Sequence, residues 1–229
     1  MTYQYLNPRT CAAALLLLAV GAGLMVVAQR RGWRPSLAVA IYTAVTLRLG
    51  MLALARRVQP WDFTYDFQRV GFDTLHHQDP ILATQPVRWS YLPVYDYPLA
   101  GAYWAHVHFH VSWLITGRIP SIVSDLGVVV LVGVVAGAVG ESAALRRFQY
   151  ACNPLSILVS AVHGQVDPAC LLFSFAALAL VLRAGTRISG RGAALAGILL
   201  GLGIGAKTWP VLFAPALWLA LPCARRRWQ

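Results

Sequence analysis

The chain has 229 residues, 58% of them hydrophobic and only 12% charged, with a mean hydropathy of +0.60. A soluble domain carries about 25% charged residues, which excludes a water-soluble core. The net charge of +11 does not point to nucleic acid, because the arginines stand in short clusters at the ends of apolar runs and form no basic stripe interleaved with exposed aromatics.

The first apolar run, Thr10 to Ala28, is followed by Arg30, Arg31 and Arg34. A cleaved signal peptide carries its positive charges before the apolar stretch, so this run reads as a span with its N-terminus outside. The second run, Leu37 to Ala55, contains Arg48. An ionisable group within a span either faces a bundle interior or snorkels to the interface, here toward Arg56. Both readings stay open.

Pro60 to Pro98 is a polar island inside a loop of about 56–98. It holds Asp62, Asp66, Asp73, Asp79 and Asp96, five of the eight acidic residues of the chain. It also holds Trp61, Trp89, Tyr91, Tyr95 and Tyr97. Its prolines and charges keep it out of lipid, and short helices lying on the membrane surface are expected within it.

Leu99 to Ile115 follows, with His106, His108 and His110. On a helix His106 and His110 share a face while His108 points away, so interfacial or packed histidines are expected rather than a metal site. The segment reads as a span or as an amphipathic interfacial helix. Ile119 to Val139 is a span carrying Asp125, which either supports the helix start electrostatically or pairs with Arg118. Phe148 to Val162 is interrupted by Asn153-Pro154, since proline removes a helical hydrogen bond. It runs into a second polar knot, His163-Gly164-Gln165-Val166-Asp167-Pro168. Ala169 to Leu182 is the next span, and Arg183 to Arg191 a basic loop. Ala193 to Ala206 is a glycine-rich span, interrupted by Lys207-Thr208-Trp209-Pro210. Val211 to Leu221 is the last run and ends at Arg225 to Arg227. Cys11, Cys152, Cys170 and Cys223 lie in or beside apolar runs and read as packing residues.

Parity gives an orientation. With Arg30 to Arg34 and Arg183 to Arg191 inside, the polar island, His163 to Pro168 and Lys207 all fall outside. One conflict remains. If both Leu99–Ile115 and Ile119–Val139 cross, Arg146 and Arg147 fall outside as well. The expected fold is all-α: a polytopic transmembrane helical bundle, one domain over 1–229, with a large extracytoplasmic loop carrying short interfacial helices.

Irregular polar backbone at a helix break implies a cavity or a protein lining. The breaks and the island together offer carboxylates, an imidazole, an amide and a cation. That set suits transfer of a sugar from a lipid phosphate: a carboxylate takes the acceptor proton, worth about 10² to 10⁴ in rate, while Lys207, Arg69 or Arg88 faces the departing phosphate. Aromatics such as Trp61, Trp89, Tyr91 and Tyr95 can stack on sugar rings.

The order of these features resembles the GT-C class of glycosyltransferases, which use polyprenyl- or dolichyl-phosphate sugars, and its mannosyltransferase-like members above all. The residues that carry the resemblance are Asp62-Phe63-Thr64-Tyr65-Asp66 after an early span, Tyr95 to Leu99, Asn153-Pro154 leading to His163-Gly164-Gln165-Val166-Asp167, and glycine-rich Leu200 to Ala206 followed by Lys207-Thr208-Trp209-Pro210. The resemblance implies a catalytic base at Asp66 or Asp62, with Asp66 closer to the family spacing. It also implies substrate binding by His163, Gln165, Asp167, Lys207, Arg69, Arg88 and Tyr95. The implied partners are a lipid-linked sugar donor, membrane lipids and an acceptor hydroxyl, but no nucleic acid. No resident metal is assigned, with a divalent cation (Mg or Mn) joining Asp62 and Asp66 as the open option. The expected location is a bacterial plasma membrane, with the site on the extracytoplasmic face. Members of the class are usually longer, so the chain reads as a truncated or minimal form. The competing readings are a membrane transporter or lipid flippase, for which broken helices are also suited, and a non-catalytic fragment.

Overall fold

The computed structural model describes residues 7–83, 91–185 and 188–220. Arg88, Trp89, Arg187, Cys223 and Arg225 to Arg227 lie outside the described residues. Among those described, every regular element is helical. Helix α1 spans Pro8–Arg31. It starts at Asn7, whose Oδ1 accepts the Arg9 N–H at 3.0 Å, with proline in the first turn, where no amide is needed, and it stops at Gly32 in the left-handed conformation. Helix α2 (Leu37–Leu54) begins at Ser36, whose hydroxyl caps the Val39 N–H.

The polar island is helical in short pieces. A π-helical turn, Phe63–Phe67, leads into α3 (Gln68–Leu75) and α4 (Pro80–Ala83). A 3₁₀ turn, Pro93–Tyr95, then opens α5 (Asp96–His108). Next come α6 (Trp113–Thr116) and α7 (Ile119–Ala138), which join into one apolar helix of 26 residues. The segment α8 (Ala143–Ala151) and α9 (Pro154–Ile157) breaks at Asn153-Pro154 as proline requires, then ends in a second π-helical turn, Leu158–His163. The chain finishes with α10 (Asp167–Ala184), α11 (Gly190–Ala206), a 3₁₀ turn at Trp209–Phe213 and α12 (Ala214–Ala220). Among the described residues four helices are long and apolar enough to cross a bilayer: Pro8–Arg31, Leu37–Leu54, Trp113–Ala138 and Asp167–Ala184.

The other elements are in register with α7. At its start, Arg118 donates to the Ala55 and Val58 carbonyls just past the end of α2, at 3.1 and 2.7 Å. Further along, Asp125 meets Arg48 of α2, so α2 and α7 are antiparallel. At the far end Ala143 lies against Gly137, and the Arg147 guanidinium covers Gly133. The chain then climbs back through Tyr150 and Ser160, both bonded to Asp125, until the Gln165 carbonyl accepts from Ser121 Oγ at 2.7 Å. The broken stretch 143–163 therefore makes one complete antiparallel pass of the bundle. Helix α10 descends beside α7 with Leu172 against Gly127, and α11 returns with Gly203 against Cys170 and Ser174.

This geometry removes the parity conflict. The end of α1 lies beside α8, since Gln149 donates to Gln29 at 2.8 Å and Trp33 packs edge-on to Phe148. Arg30, Arg31, Arg146, Arg147 and Arg183 are thus all at one end of the bundle. Of the two readings of Leu99–Ile115, a span or an interfacial helix, the span is the one that fails on length. Helix α5 stops at His108, is not among the helices long and apolar enough to cross, and lies on α3, where Gly71 abuts the Leu99 carbonyl. Residues 113–115 belong to the next helix. The histidines are occupied locally: His106 Nδ1 is 2.6 Å from the Val111 carbonyl oxygen, and the His108 ring stacks on Trp104.

Two ionisable residues sit at the centre of the bundle. Arg48 and Asp125 are fully buried, with Nε and Oδ2 2.6 Å apart. Arg48 also donates to the Ala44 and Ala151 carbonyls and to Ser156 Oγ. Asp125 also accepts from the Tyr150 and Ser160 hydroxyls, at 2.7 and 3.0 Å. Arg48 faces the interior and does not snorkel. The expected partner of Asp125, Arg118, is replaced by Arg48, and Asp125 sits too far into the helix to serve its first turn. Arg118 is itself fully buried, and spends its donors on the carbonyls of Ala55, Leu114 and Val58.

Candidate functional site

At the end of the bundle opposite the basic clusters, three separate stretches of chain meet. The π-helical turn after α2 brings Asp62. The loop between the second π-helical turn and α10 brings His163, Gln165 and Asp167. The end of α11 brings Lys207.

Asp62 is fixed by neighbours from far along the chain. Its Oδ1 accepts its own turn's Phe63 N–H at 2.9 Å. Its Oδ2 accepts from Gln165 Nε2 at 3.0 Å, and the same amide nitrogen lies 2.6 Å from His163 Nδ1. One amide therefore serves both groups with its two N–H bonds. An imidazole that accepts at Nδ1 carries its proton on Nε2, and that atom is 3.7 Å from Asp62 Oδ1. The Asp62 side chain is 35% exposed and that of His163 42%, so both are oriented yet open to a ligand.

The turn that carries Asp62 is itself held from below. Trp113 Nε1 donates to the Phe63 carbonyl at 3.1 Å, and the Trp113 ring stacks on the Phe63 ring. The Arg118 guanidinium lies 5.1 Å from the centre of the same ring, a cation–π contact that is strengthened by burial.

Asp167 forms the second half. Both of its oxygens accept from Lys207 Nζ, at 3.1 and 3.0 Å, and Oδ1 also accepts from Trp209 Nε1 at 3.0 Å. Lys207 Nζ stands 5.4 Å from the centre of the Tyr91 ring. The Tyr91 phenol feels the charges of both halves. Burial raises its pKa above the ordinary value of 10, Lys207 pulls it down, and the charges of Asp167 and Asp62 push it up. Tyr95, one turn on, is buried in the core beneath. Burial, then Cys170 and Asp167, pushes its phenol well above the ordinary range.

Of the expected site residues, the structure thus brings together Asp62, His163 and Gln165, and beside them Asp167 and Lys207. Asp66 is half-buried, four residues beyond Asp62 on the same turn. Arg69 is not with them: its guanidinium is paired with Asp73 one turn away at 2.9 Å and lies against the Phe72 ring. Tyr95 is buried and presents no stacking face to a sugar. Arg88 lies outside the described residues. The sequence reading placed Trp209 as a neighbour of Lys207 but not as a donor to Asp167, and gave Arg118 no part in supporting the site.

The Asp62 oxygens face N–H donors, and among the described residues no three His, Cys, Asp or Glu side chains are grouped to hold a metal. The arrangement suits a hydrogen-bonded carboxylate base beside an ammonium–carboxylate pair. Comparison of the chain with protein-family models, with curated proteins and with solved structures gives no match.

Proposed function

We propose that the chain is a multi-pass membrane glycosyltransferase that moves a hexose from a polyprenyl-phosphate donor to an acceptor hydroxyl. The observation that carries this reading is the meeting of Asp62, His163 and Gln165 at the same bundle end as the Asp167–Lys207 pair. In this reading Arg30, Arg31, Arg146, Arg147 and Arg183 at the opposite end face the cytoplasm and the site is extracytoplasmic, although Arg56 and Arg57 lie at the site end.

In this reading the Asp62 carboxylate accepts the proton of the acceptor hydroxyl as its oxygen attacks the anomeric carbon. The bond from that carbon to the phosphate oxygen breaks, and the lipid phosphate leaves with the electron pair. Inversion follows from attack opposite the leaving group. Asp62 is favoured over Asp66 because Gln165 and His163 orient it. The departing phosphate is met by Lys207. An ammonium has three N–H bonds and the two oxygens of Asp167 take at most two, so one is left for phosphate. Asp167 and the Trp209 indole hold the ammonium in place meanwhile.

The test is transfer by purified protein supplied with polyprenyl-phosphate hexoses. Asp62→Asn should lower transfer by about 10² to 10⁴, and Asp66→Asn by much less. Equal transfer by wild type and Asp62→Asn rejects the base, and no transfer from any such donor rejects the enzyme. The buried Arg48–Asp125 pair favours a second reading, a transporter, because ionisable groups in a span often mark a substrate path. That reading requires substrate flux into liposomes without sugar transfer.

A further inference from the structure

The end of the bundle away from the candidate site carries a charge that the protein does not itself balance. Arg30, Arg31, Arg146, Arg147 and Arg183 gather there. Of the eight acidic residues in the chain only Glu141 lies with them, and no Asp or Glu stands outside the described residues. Glu141 is already paired with Arg146 at 3.0 Å, and Arg146 also donates to Gln149.

Arg147 is the residue left over. It is half-buried, and its guanidinium lies back along α7 across Gly133, where an added Cβ would come within 2.6 Å of it. Any side chain at position 133 would displace it. The Nε is buried without a hydrogen-bond partner, and no carboxylate pairs with Arg147 among the described residues. Gly133 stands short of the α7 end at Ala138, by about 7 Å of helical rise. Phe148, the next residue after Arg147, carries Trp33 edge-on, and that indole is half-exposed. Tryptophans in such positions mark the headgroup level of a bilayer.

An uncompensated cation at this depth is costly. A guanidinium with N–H bonds to spare calls for an oxyanion, which it binds by charge-assisted hydrogen bonds. The oxyanion found at that depth is the phosphate of a lipid. Choline and ethanolamine headgroups add a cation that would face the remaining arginines, so the charge of this end selects a headgroup that is negative overall.

We propose that Arg147, laid across Gly133, is a seat for the phosphate of an anionic phospholipid, and that the exposed arginines of the same end draw such lipids toward it. The seat is at the opposite end from the candidate site and stands whether or not the chain transfers sugar.

The test incubates the full chain in detergent with equal amounts of phosphatidylglycerol and phosphatidylcholine and counts retained lipid by native mass spectrometry. It is run at low salt and at about 0.5 M ammonium acetate, where exposed charges are screened beyond a few ångströms. Phosphatidylglycerol should be retained over phosphatidylcholine, and the preference should persist at high salt. There Arg147→Met should lower retention about tenfold, while Arg31→Met should change it less than about twofold. Gly133→Ala keeps every charge but displaces the guanidinium, and should weaken retention as well. Equal retention of the two lipids overturns the proposal. So does a preference that vanishes at high salt, or one that falls equally in Arg31→Met and Arg147→Met, since diffuse charge then accounts for it without a seat. Displacement of the lipid by an equal amount of inorganic phosphate makes this a free-anion site and overturns the lipid assignment.

Discussion

Gly164 stands so close to Phe63 that a Cβ added to it would lie 2.5 Å from the ring. Its backbone is also left-handed, with φ at +74°. The residue therefore has two independent reasons to be glycine: a conformation that L side chains resist, and a contact that leaves no room. Phe63 follows Asp62 directly, so the contact ties the polar knot at 163–167 to the candidate base.

Gly164→Ala should cost about 2–4 kcal/mol, the sum of left-handed strain and overpacking. Thermal unfolding in detergent measures it. The same variant should lower sugar transfer more than the loss of folded protein explains, because the ring must move and Asp62 with it. A variant with wild-type stability would show that the turn and the knot are not in contact.

Removing one member of the central ion pair should be far worse than removing both. Asp125→Leu leaves the Arg48 guanidinium uncompensated in the bundle core, and Arg48→Met does the same to the carboxylate. Each should cost about 3–5 kcal/mol. The double variant Arg48→Met/Asp125→Leu should recover much of that loss. A double-mutant cycle on unfolding midpoints reads the coupling, and simple additivity would contradict the pairing. The transporter reading adds a separate demand, since the double variant would then fold but carry no flux.

Tyr91 offers a titration that reports on the candidate site. Burial and the two carboxylates hold its proton more tightly in the folded chain than in the unfolded one. The contribution of this group to stability is therefore complete below pH 10 and declines as the pH rises from there toward the folded value. Phenolate absorbance, taken as the difference between wild type and Tyr91→Phe, follows the group directly. Lys207→Met should move the titration to still higher pH, and Asp167→Asn should move it down. A midpoint that ignores both substitutions would place Tyr91 away from them.

Much of the bundle was legible in the amino-acid order because apolar length and proline position are local properties. The Asn153-Pro154 break and the glycine-rich approach of α11 both follow from neighbouring residues. Partners across the bundle were not legible. Arg48 and Asp125 are 77 residues apart, and Arg118 stood closer in sequence, which made it the natural but incorrect partner. Arg69 looked free to meet a phosphate because its pairing with Asp73 competes invisibly at helical spacing. The polar knots were legible as breaks, since each sits where backbone hydrogen bonding is interrupted. Which carboxylate faces which donor depended on rotation about helices that sequence does not specify.

Helix α7, with Arg118 at its N-cap, carries Ser121, Asp125 and Gly133, and each of the four meets a different stretch of chain. It works as a ruler against which the rest is set. One residue inserted between Ser121 and Asp125 would rotate everything beyond it by about 100° and shift it by about 1.5 Å. Asp125 would then leave Arg48, and Gly133 would leave Arg147, in a single step. Length changes should accordingly be tolerated in the exposed connection that follows it, around Gly140, and not in this helix or its start, so that its spacing, more than its particular apolar side chains, is what a working variant must keep.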